Sequence, residues 1–282
     1  MMPATAPAMR AALDARIVSQ AAVGGLDAGR LRRRLVFQRV LRRLSDDDRW
    51  VLKGGYLLET RLAAGARATR DLDLVSAEAD DVDRLRDALG AALGLDPDGD
   101  FFDFAIMKTG SLAADQAGRG GWRVHLEARL AGRVFDRIHI DVMARVTEVD
   151  GAVEILEVAS PISGVDFAPA RVLVVDVAQH AAEKFHALCR TYSGARPSSR
   201  VKDLVDIALM SEAGLLPDPR LGSRIRAVFL DRDGDSPPPG LPEFPASWAH
   251  DYRTLTADLP VSAPDVESAA ELAGQLYREA LN

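Results

Sequence analysis

Residues 50–74, WVLKGGYLLETRLAAGARATRDLDL, decide how the rest of the chain is read. Trp50, Val51 and Leu52 form a short apolar run that ends at Lys53 and Gly54-Gly55, and from Tyr56 the apolar residues Leu57, Leu58 and Leu62 recur at helical spacing. The order is strand, turn, helix. Without a Cβ at Gly54 or Gly55 the backbone can approach a phosphate, whose charge the unpaired N–H groups of a helix start would favour.

After a turn at Gly65, residues 69–75 read as a second strand, in which alternate side chains share a face. Asp71 and Asp73 then point one way and Leu72 and Leu74 the other. Two carboxylates this close repel unless a positive charge lies between them, and hard oxygen ligands at this spacing suit Mg²⁺. An isolated Asp-x-Asp is more often a solvated strand edge. The Gly-Gly turn beside it argues for a site.

Working outward, residues 79–93 carry Val82, Leu85, Leu89 and Ala92 along one face, an amphipathic helix that would cover a sheet. Residues 102–109 form a third strand. Residues 122–130 alternate, with Val124, Leu126, Ala128 and Leu130 opposite Arg123, His125, Glu127 and Arg129. Residues 135–142 repeat the pattern and set Arg137, His139 and Asp141 against Ile138, Ile140 and Val142. Asp141 would meet Asp71 and Asp73 if its strand lay beside theirs. His125 and His139 lack a partner at metal-ligand spacing and read as polar-face residues.

Residues 153–170 read as a connecting region. Asp176 and Gln179 form a capping box for a helix that runs to about residue 190 and carries Lys184. Residues 191–199 are a polar loop, and a helix from about 199 to 212 holds Arg200, Lys202, Asp203 and Asp206. Its two aspartates are three apart and share a face. Residues 231–247, with five prolines, read as a long surface connection, and 264–281 as a final helix.

The 282 residues, 48% hydrophobic and 27% charged, suit an ordinary globular protein of one large or two modest domains. The single cysteine excludes an intramolecular disulfide and a cysteine-rich zinc site. No apolar run approaches the ~20 residues of a membrane span, so no membrane partner and a cytoplasmic location are expected. The net charge of −7 weighs mildly against nucleic acid. Against it stands an arginine-rich helix over residues 30–45, read either as a cationic face for RNA or as a solvated helix whose arginines pair with acidic neighbours such as Asp46 to Asp48.

Gly54-Gly55, the helix after it and Asp71-Leu72-Asp73 together resemble the signature of the polymerase-β-like nucleotidyltransferases. More narrowly, Leu52-Lys53-Gly54-Gly55 and the segment from Arg67 to Leu74 resemble the AbiEii-type nucleotidyltransferase toxins, the group that includes the MenT toxins. So do Glu183-Lys184-Phe185-His186-Ala187 and the run from Arg200 to Asp206.

The resemblance implies an α+β fold: a nucleotidyltransferase core with a mixed sheet flanked by helices, followed by a mainly helical C-terminal domain. The expected divisions are 1–48, 49–170 and 171–282. It implies Asp71, Asp73 and Asp141 as Mg²⁺ ligands and catalytic carboxylates, and Gly54, Gly55, Lys184, Arg200, Lys202 and Asp203 around an NTP. Asp203 and Asp206 are both carried as the functional aspartate of the last motif. The activity implied is that of a toxin in a toxin–antitoxin system that adds nucleotides, often pyrimidines, to the 3′ end of tRNA, with a cognate antitoxin as partner. A small hydroxylated acceptor such as an aminoglycoside, a protein hydroxyl, or an inactive partner-binding fold stay open. Thr69, two residues before Asp71, is expected to be a regulatory position: a phosphate there would add about −1.5 to −2 charges where NTP must bind.

Overall fold

The computed structural model of the chain describes residues 3–62, 65–113, 120–144, 146–190 and 200–282. Two helices come first, α1 (Ala6–Gly24) and α2 (Ala28–Arg43), each started by a side-chain oxygen, of Thr5 and Asp27, that accepts a first-turn N–H. β1 (Val51–Lys53) passes directly into α3 (Gly54–Leu62), so the Gly-Gly pair is itself the first turn of the helix. β2 (Asp71–Val75) follows, then α4 (Val82–Leu93), capped by Asp81. β3 (Phe102–Leu112), β4 (Gly121–Leu130) and β5 (Arg133–Met143) form an antiparallel meander. A single turn, α5 (Val146–Val149), leads to the antiparallel pair β6 (Val153–Val158) and β7 (Ala170–Val175). The remainder is helical: α6 (Val177–Cys189), α7 (Val201–Glu212), α8 (Leu221–Asp233), α9 (Trp248–Thr256) and α10 (Val266–Leu281).

All seven strands belong to one mixed sheet in the order β3-β4-β5-β2-β1-β7-β6. β2 lies parallel to β5 and antiparallel to β1, and β1 lies parallel to β7. Strand alternation sends Leu72, Leu74, Val124, Leu126, Ile138, Ile140 and Val142 to one face, where they join residues of α1, α2 and α4 in a single apolar cluster. A second cluster is built by α6 to α10. Successive α3 residues serve both, Leu57 in the first and Leu58 in the second. Each is at most 1% exposed and so contributes about 1.5–3 kcal/mol by burial. The helix that begins at Gly54 is therefore fixed from both sides.

The arginine-rich helix pairs most of its cations within the chain. Arg39 and Arg43 are buried against Asp98 and Asp100 at 2.7–3.3 Å, Arg30 reaches Glu59 at 2.7 Å, Arg32 reaches Asp14 and Arg42 reaches Asp98. The acidic partners come from elsewhere in the chain rather than from Asp46 to Asp48, because the helix packs with its arginine stems against the sheet and has to satisfy their charges internally. Residues 153–158 are a strand and not part of a connection, as β6 edges the sheet beside β7. Residues 221–233 and 248–256 are also helical, with Leu221, Ile225, Val228 and Phe229 along one face of the first and Trp248, Tyr252 and Leu255 along one face of the second. The polar loop at 191–199 lies outside the described residues.

Candidate active site

Leu72 and Leu74 bury into the core, so Asp71 and Asp73 leave β2 on the opposite face, away from α1, α2 and α4. Strand register sets what stands beside them. Lys53 of β1 is opposite Asp73, Asp73 is opposite Asp141 of β5, and Asp141 is opposite Arg123 of β4. Four charged side chains thus form one row across four strands, positive, negative, negative, positive, with neighbouring strands about 4.8 Å apart. Asp71 heads the next row, beside His139.

Burial first, then the charge of Asp71 and that of Asp141, push the Asp73 carboxyl up to about 6, against the opposing pull of Lys53. The Gly55 N–H donates to the same carboxylate. Gly54 has φ +68, and a Cβ on it would stand 2.0 Å from Asp73 Oδ2. Glycine is therefore required there twice over, by conformation and by space. A Cβ on Gly55 would meet Thr69 Oγ1 at 2.8 Å. Thr69 is buried and donates to Asp71 Oδ1 at 3.1 Å, so its hydroxyl orients a carboxylate of the site.

The facing wall comes from α6 and α7. Lys184 Nζ is 2.6 Å from Asp206 Oδ2 and 3.5 Å from Asp203 Oδ1, and Arg67 grips Asp206 with two bonds of 2.8 Å. Burial opposes the Asp206 charge, but Lys184 and Arg67 outweigh it and hold the carboxyl at about 2. Asp206 is wholly buried, whereas Asp203 lines the cleft. The two aspartates that the sequence left equivalent are thereby separated: one anchors Lys184 from behind and the other faces the opening. Arg200, 2.9 Å from Asp203, lines the cleft as well. Lys202 does not; it lines an adjoining depression with Arg67, Asp251 and Leu255.

The cleft between sheet and helices has a volume of about 350 Å³, within the range of small-ligand sites. Its deeper side holds an ionic network. Lys53 Nζ is 3.0 Å from Glu183, Arg232 Nε donates to Glu148 at 2.8 Å, and Arg232 also reaches Glu183 at 3.3 Å. Burial works against the Glu183 charge, yet Lys53 and Arg232 hold its carboxyl well below the usual range. His180, one helical turn before Lys184, is buried in the cleft wall and held neutral by burial and by the charges of Lys184 and Arg61. Among the described residues neither of its ring nitrogens has a hydrogen-bond partner.

Asp71, Asp73 and Asp141 offer only hard oxygen donors on one face, the chemistry that suits Mg²⁺. Among the described residues no three such side chains are already gathered into a cage. Instead the Arg123 guanidinium binds Asp141 through Nε at 2.7 Å and Nη2 at 2.6 Å and reaches to 3.8 Å from Asp71. A side-chain cation occupies the place between carboxylates that a divalent ion would need, so the donor set fits the ion once Arg123 turns aside.

The family model for the nucleotidyl transferase AbiEii toxin of type IV toxin–antitoxin systems matches residues 35–275. The chain belongs to the AbiEii nucleotidyltransferase toxin family. Three solved structures are among those it is similar to. MenT4, a nucleotidyltransferase toxin from Mycobacterium tuberculosis H37Rv, is 18% identical over 96% of this chain and 97% of its own, with a TM-score of 0.49. A nucleotidyltransferase described as putative from H. pylori is 16% identical over 86% and 92%, TM-score 0.42, and JHP933 from Helicobacter pylori is 16% identical over 86% and 89%, TM-score 0.41. No curated protein matches. Among the described residues no helix is long and apolar enough to cross a membrane.

In this AbiEii toxin Gly54, Asp73, Asp141, Lys184, Arg200 and Asp203 line one cleft, with the Gly55 N–H donating to Asp73 and with Asp71 two residues before it on the same face of β2. The fold also assembles groups that the sequence reading passed over, namely Lys53, Arg67, Arg123, Glu183 and Arg232. Two of these had a visible signal, since Lys53 abuts the Gly-Gly pair and Glu183 abuts Lys184. Arg67 begins the segment that resembles the family, but its grip on Asp206, like the role of Arg232, depends on which helix lies against which.

Proposed function

We propose that this AbiEii-family chain transfers a nucleoside monophosphate from an NTP, with a preference for pyrimidines, to the 3′ end of tRNA, so blocking translation until an antitoxin neutralises it. The observation that carries this reading is the register of Asp73 beside Asp141, facing Lys184 across a cleft of NTP-compatible size. In the reaction the 3′-hydroxyl oxygen attacks the α-phosphorus, the bond from that phosphorus to the bridging oxygen breaks, and pyrophosphate leaves with the electron pair.

Each chain residue has a role in that step. Asp141 takes the hydroxyl proton, at the edge where the acceptor enters. Lys184, held in place by Asp206, and Arg200 bind the triphosphate oxygens, and Gly54 and Gly55 let the α3 N-terminus approach them. Asp71, Asp73 and Asp141 would hold Mg²⁺, which when bound lowers the pKa of the acceptor hydroxyl and neutralises the leaving charge. Asp203 keeps Arg200 and Lys184 aimed at the opening. Thr69, bonded to Asp71, is the proposed point of control, since a phosphate there would repel the NTP.

The test is to incubate the protein with Mg²⁺, each α-labelled NTP in turn, total tRNA, an aminoglycoside mixture and carrier protein, then to separate the acceptors. Label on tRNA supports the reading. Label only on the small molecules or on polypeptide would replace tRNA with that acceptor while leaving nucleotidyl transfer in place.

A further inference from the structure

The half of the sheet that extends beyond the carboxylates has a polar face that no helix among the described residues covers. α1, α2 and α4 pack on its other side, and the C-terminal helices build their own cluster. On this open face the row headed by Asp71 continues strand by strand: Asp71 of β2 is opposite His139 of β5, His139 is opposite His125 of β4, and His125 is opposite Lys108 of β3. The row runs from a carboxylate of the site to the edge of the sheet, three strand spacings or about 14 Å away.

Lys108 reaches that row only because of a bulge. The β3–β4 register skips Met107, between Ile106 and Lys108. In an unbroken strand Lys108 would share the buried face of Ile106, two residues earlier; the extra residue moves it to the polar face. Met107 is left 57% exposed beside it. The two imidazoles meet edge to face, centroids 4.4 Å apart, and both are partly exposed. Along one flank, Arg129 and Arg137 both bind the carboxylate of Glu127, at 2.7 Å each, while Asp103 of β3 stands opposite Arg129, so this flank carries two charges of each sign and Arg137, its side chain 70% exposed, is its most open cation. Along the other, Arg123 lies beside His125 on the same face of β4, binds Asp141 opposite it and reaches to 3.8 Å from Asp71. A chain of net charge −7 thus places stackable rings between cations on an open sheet face beside its carboxylates.

We infer that this face is the platform for the single-stranded 3′ end of the acceptor RNA, with terminal bases stacked on His139 and His125 and the backbone phosphates held by Lys108 and the flanking arginines. The inference rests on the reading of RNA as acceptor and says where that RNA lies. Single-stranded RNA is recognised in this way elsewhere, two or three unpaired bases stacking on rings of a sheet while cations follow the backbone. The width of the row suits two or three bases. A duplex would not fit a row that leads into a cleft floor, and a protein partner would require more apolar area than Met107 supplies.

The experiment measures binding of a 5′-fluorescein single-stranded RNA hexamer ending in CCA by anisotropy, to the wild type, His125→Ala/His139→Ala, Lys108→Ala and Arg171→Ala. Arg171 lies on β7, far from this face, and pairs with Asp46, so its variant controls for loss of a surface cation. The double histidine variant should weaken binding at least about fivefold, as loss of a base stack does. Lys108→Ala should weaken it and reduce the slope of log affinity against log salt by about 0.7, while Arg171→Ala changes nothing. NTP binding should be the same in all four. To keep the test independent of any change the double variant makes to the sheet, a 4-thiouridine hexamer is crosslinked to the wild type in parallel, and the adduct should map to residues 102–112 or 121–143. Wild-type binding that none of the variants weakens, or a crosslink elsewhere, overturns the platform and leaves the RNA reading standing. A wild type that binds NTP but neither binds nor labels RNA overturns both.

Discussion

Replacing Asp73 with Asn should make the metal-free protein more stable at neutral pH while abolishing its activity. The reason is the environment of the carboxylate. Burial and the neighbouring Asp71 and Asp141 charges raise it from 3.8 to about 6, and Lys53 only partly offsets them. A folded-state pKa above the unfolded value means that the stability contributed is complete below about pH 4 and is lost as the pH rises through 6. At 1.36 kcal/mol per pH unit the full effect is about 3 kcal/mol. The side chain borders an open cleft that lets solvent screen part of this, so about 1–3 kcal/mol is expected. Asn keeps an oxygen for the Gly55 N–H and carries no charge at any pH. Urea unfolding of both proteins in chelator-treated buffer, followed by circular dichroism at several pH values, isolates the effect because other groups cancel in the difference. The variant and wild type should match near pH 4, and the variant should gain stability progressively to pH 8. Added Mn²⁺ should narrow the gap by stabilising the wild type alone. A variant less stable than wild type at pH 8, or a difference that does not change with pH, would refute the reasoning.

Other outcomes follow from the same geometry. Asp206→Asn leaves Lys184 and Arg67 buried without their counter-charge and should cost about 3–5 kcal/mol in urea unfolding at pH 7. Because the Asp206 carboxyl is held at about 2, the stability it gives is present above about pH 4 and is lost as the pH falls towards 2, so the gap between the two proteins should close in acid; a cost under 1 kcal/mol at pH 7 would contradict the anchor. Arg123→Gln removes the cation that spans Asp141 and Asp71 and should tighten Mn²⁺ binding, measured by calorimetry, several-fold; equal or weaker binding would show that Arg123 does not compete with the ion. Gly54→Ala forces a Cβ to within 2.0 Å of Asp73 Oδ2 at φ +68 and should abolish nucleotide binding in a ligand-protection melt, which unchanged protection would disprove. Thr69→Glu puts a charge where the hydroxyl now meets Asp71, and nucleotidyl transfer should fall below a tenth of wild type; full transfer would remove Thr69 as a control point.

The parts of the site that could be read from the sequence are those set by local chemistry. Gly54-Gly55 needs only its own backbone, and the alternation of Asp71, Leu72 and Asp73 needs only a strand, so both could be seen in twenty-five residues. Asp141 was visible as a polar-face residue of an alternating strand, but its place beside Asp73 depends on β2 lying parallel to β5, which no local pattern specifies. The same limit hid the role of Arg123, which shares that row. The arginine-rich helix showed the limit most clearly, since its composition suited either RNA or internal pairing. Asp98, Asp100 and Glu59, remote in sequence, settle it in favour of pairing. Helices α8 and α9 do carry a helical period, Leu221, Ile225, Val228 and Phe229 in one and Trp248, Tyr252 and Leu255 in the other, but both are short and flank the proline-rich stretch that reads as a surface connection.

The most direct measurement of the central claim is pyrophosphate release set against nucleotide addition, with the purified protein, Mg²⁺, tRNA and each NTP, beside an Asp71→Ala/Asp73→Ala variant of the same purity. The account predicts one pyrophosphate for each nucleotide that lengthens the RNA 3′ end, strongest with a pyrimidine NTP, and neither product from the variant. Pyrophosphate or RNA extension of wild-type size in the variant would contradict it, because the row of carboxylates would then not be where the chemistry occurs.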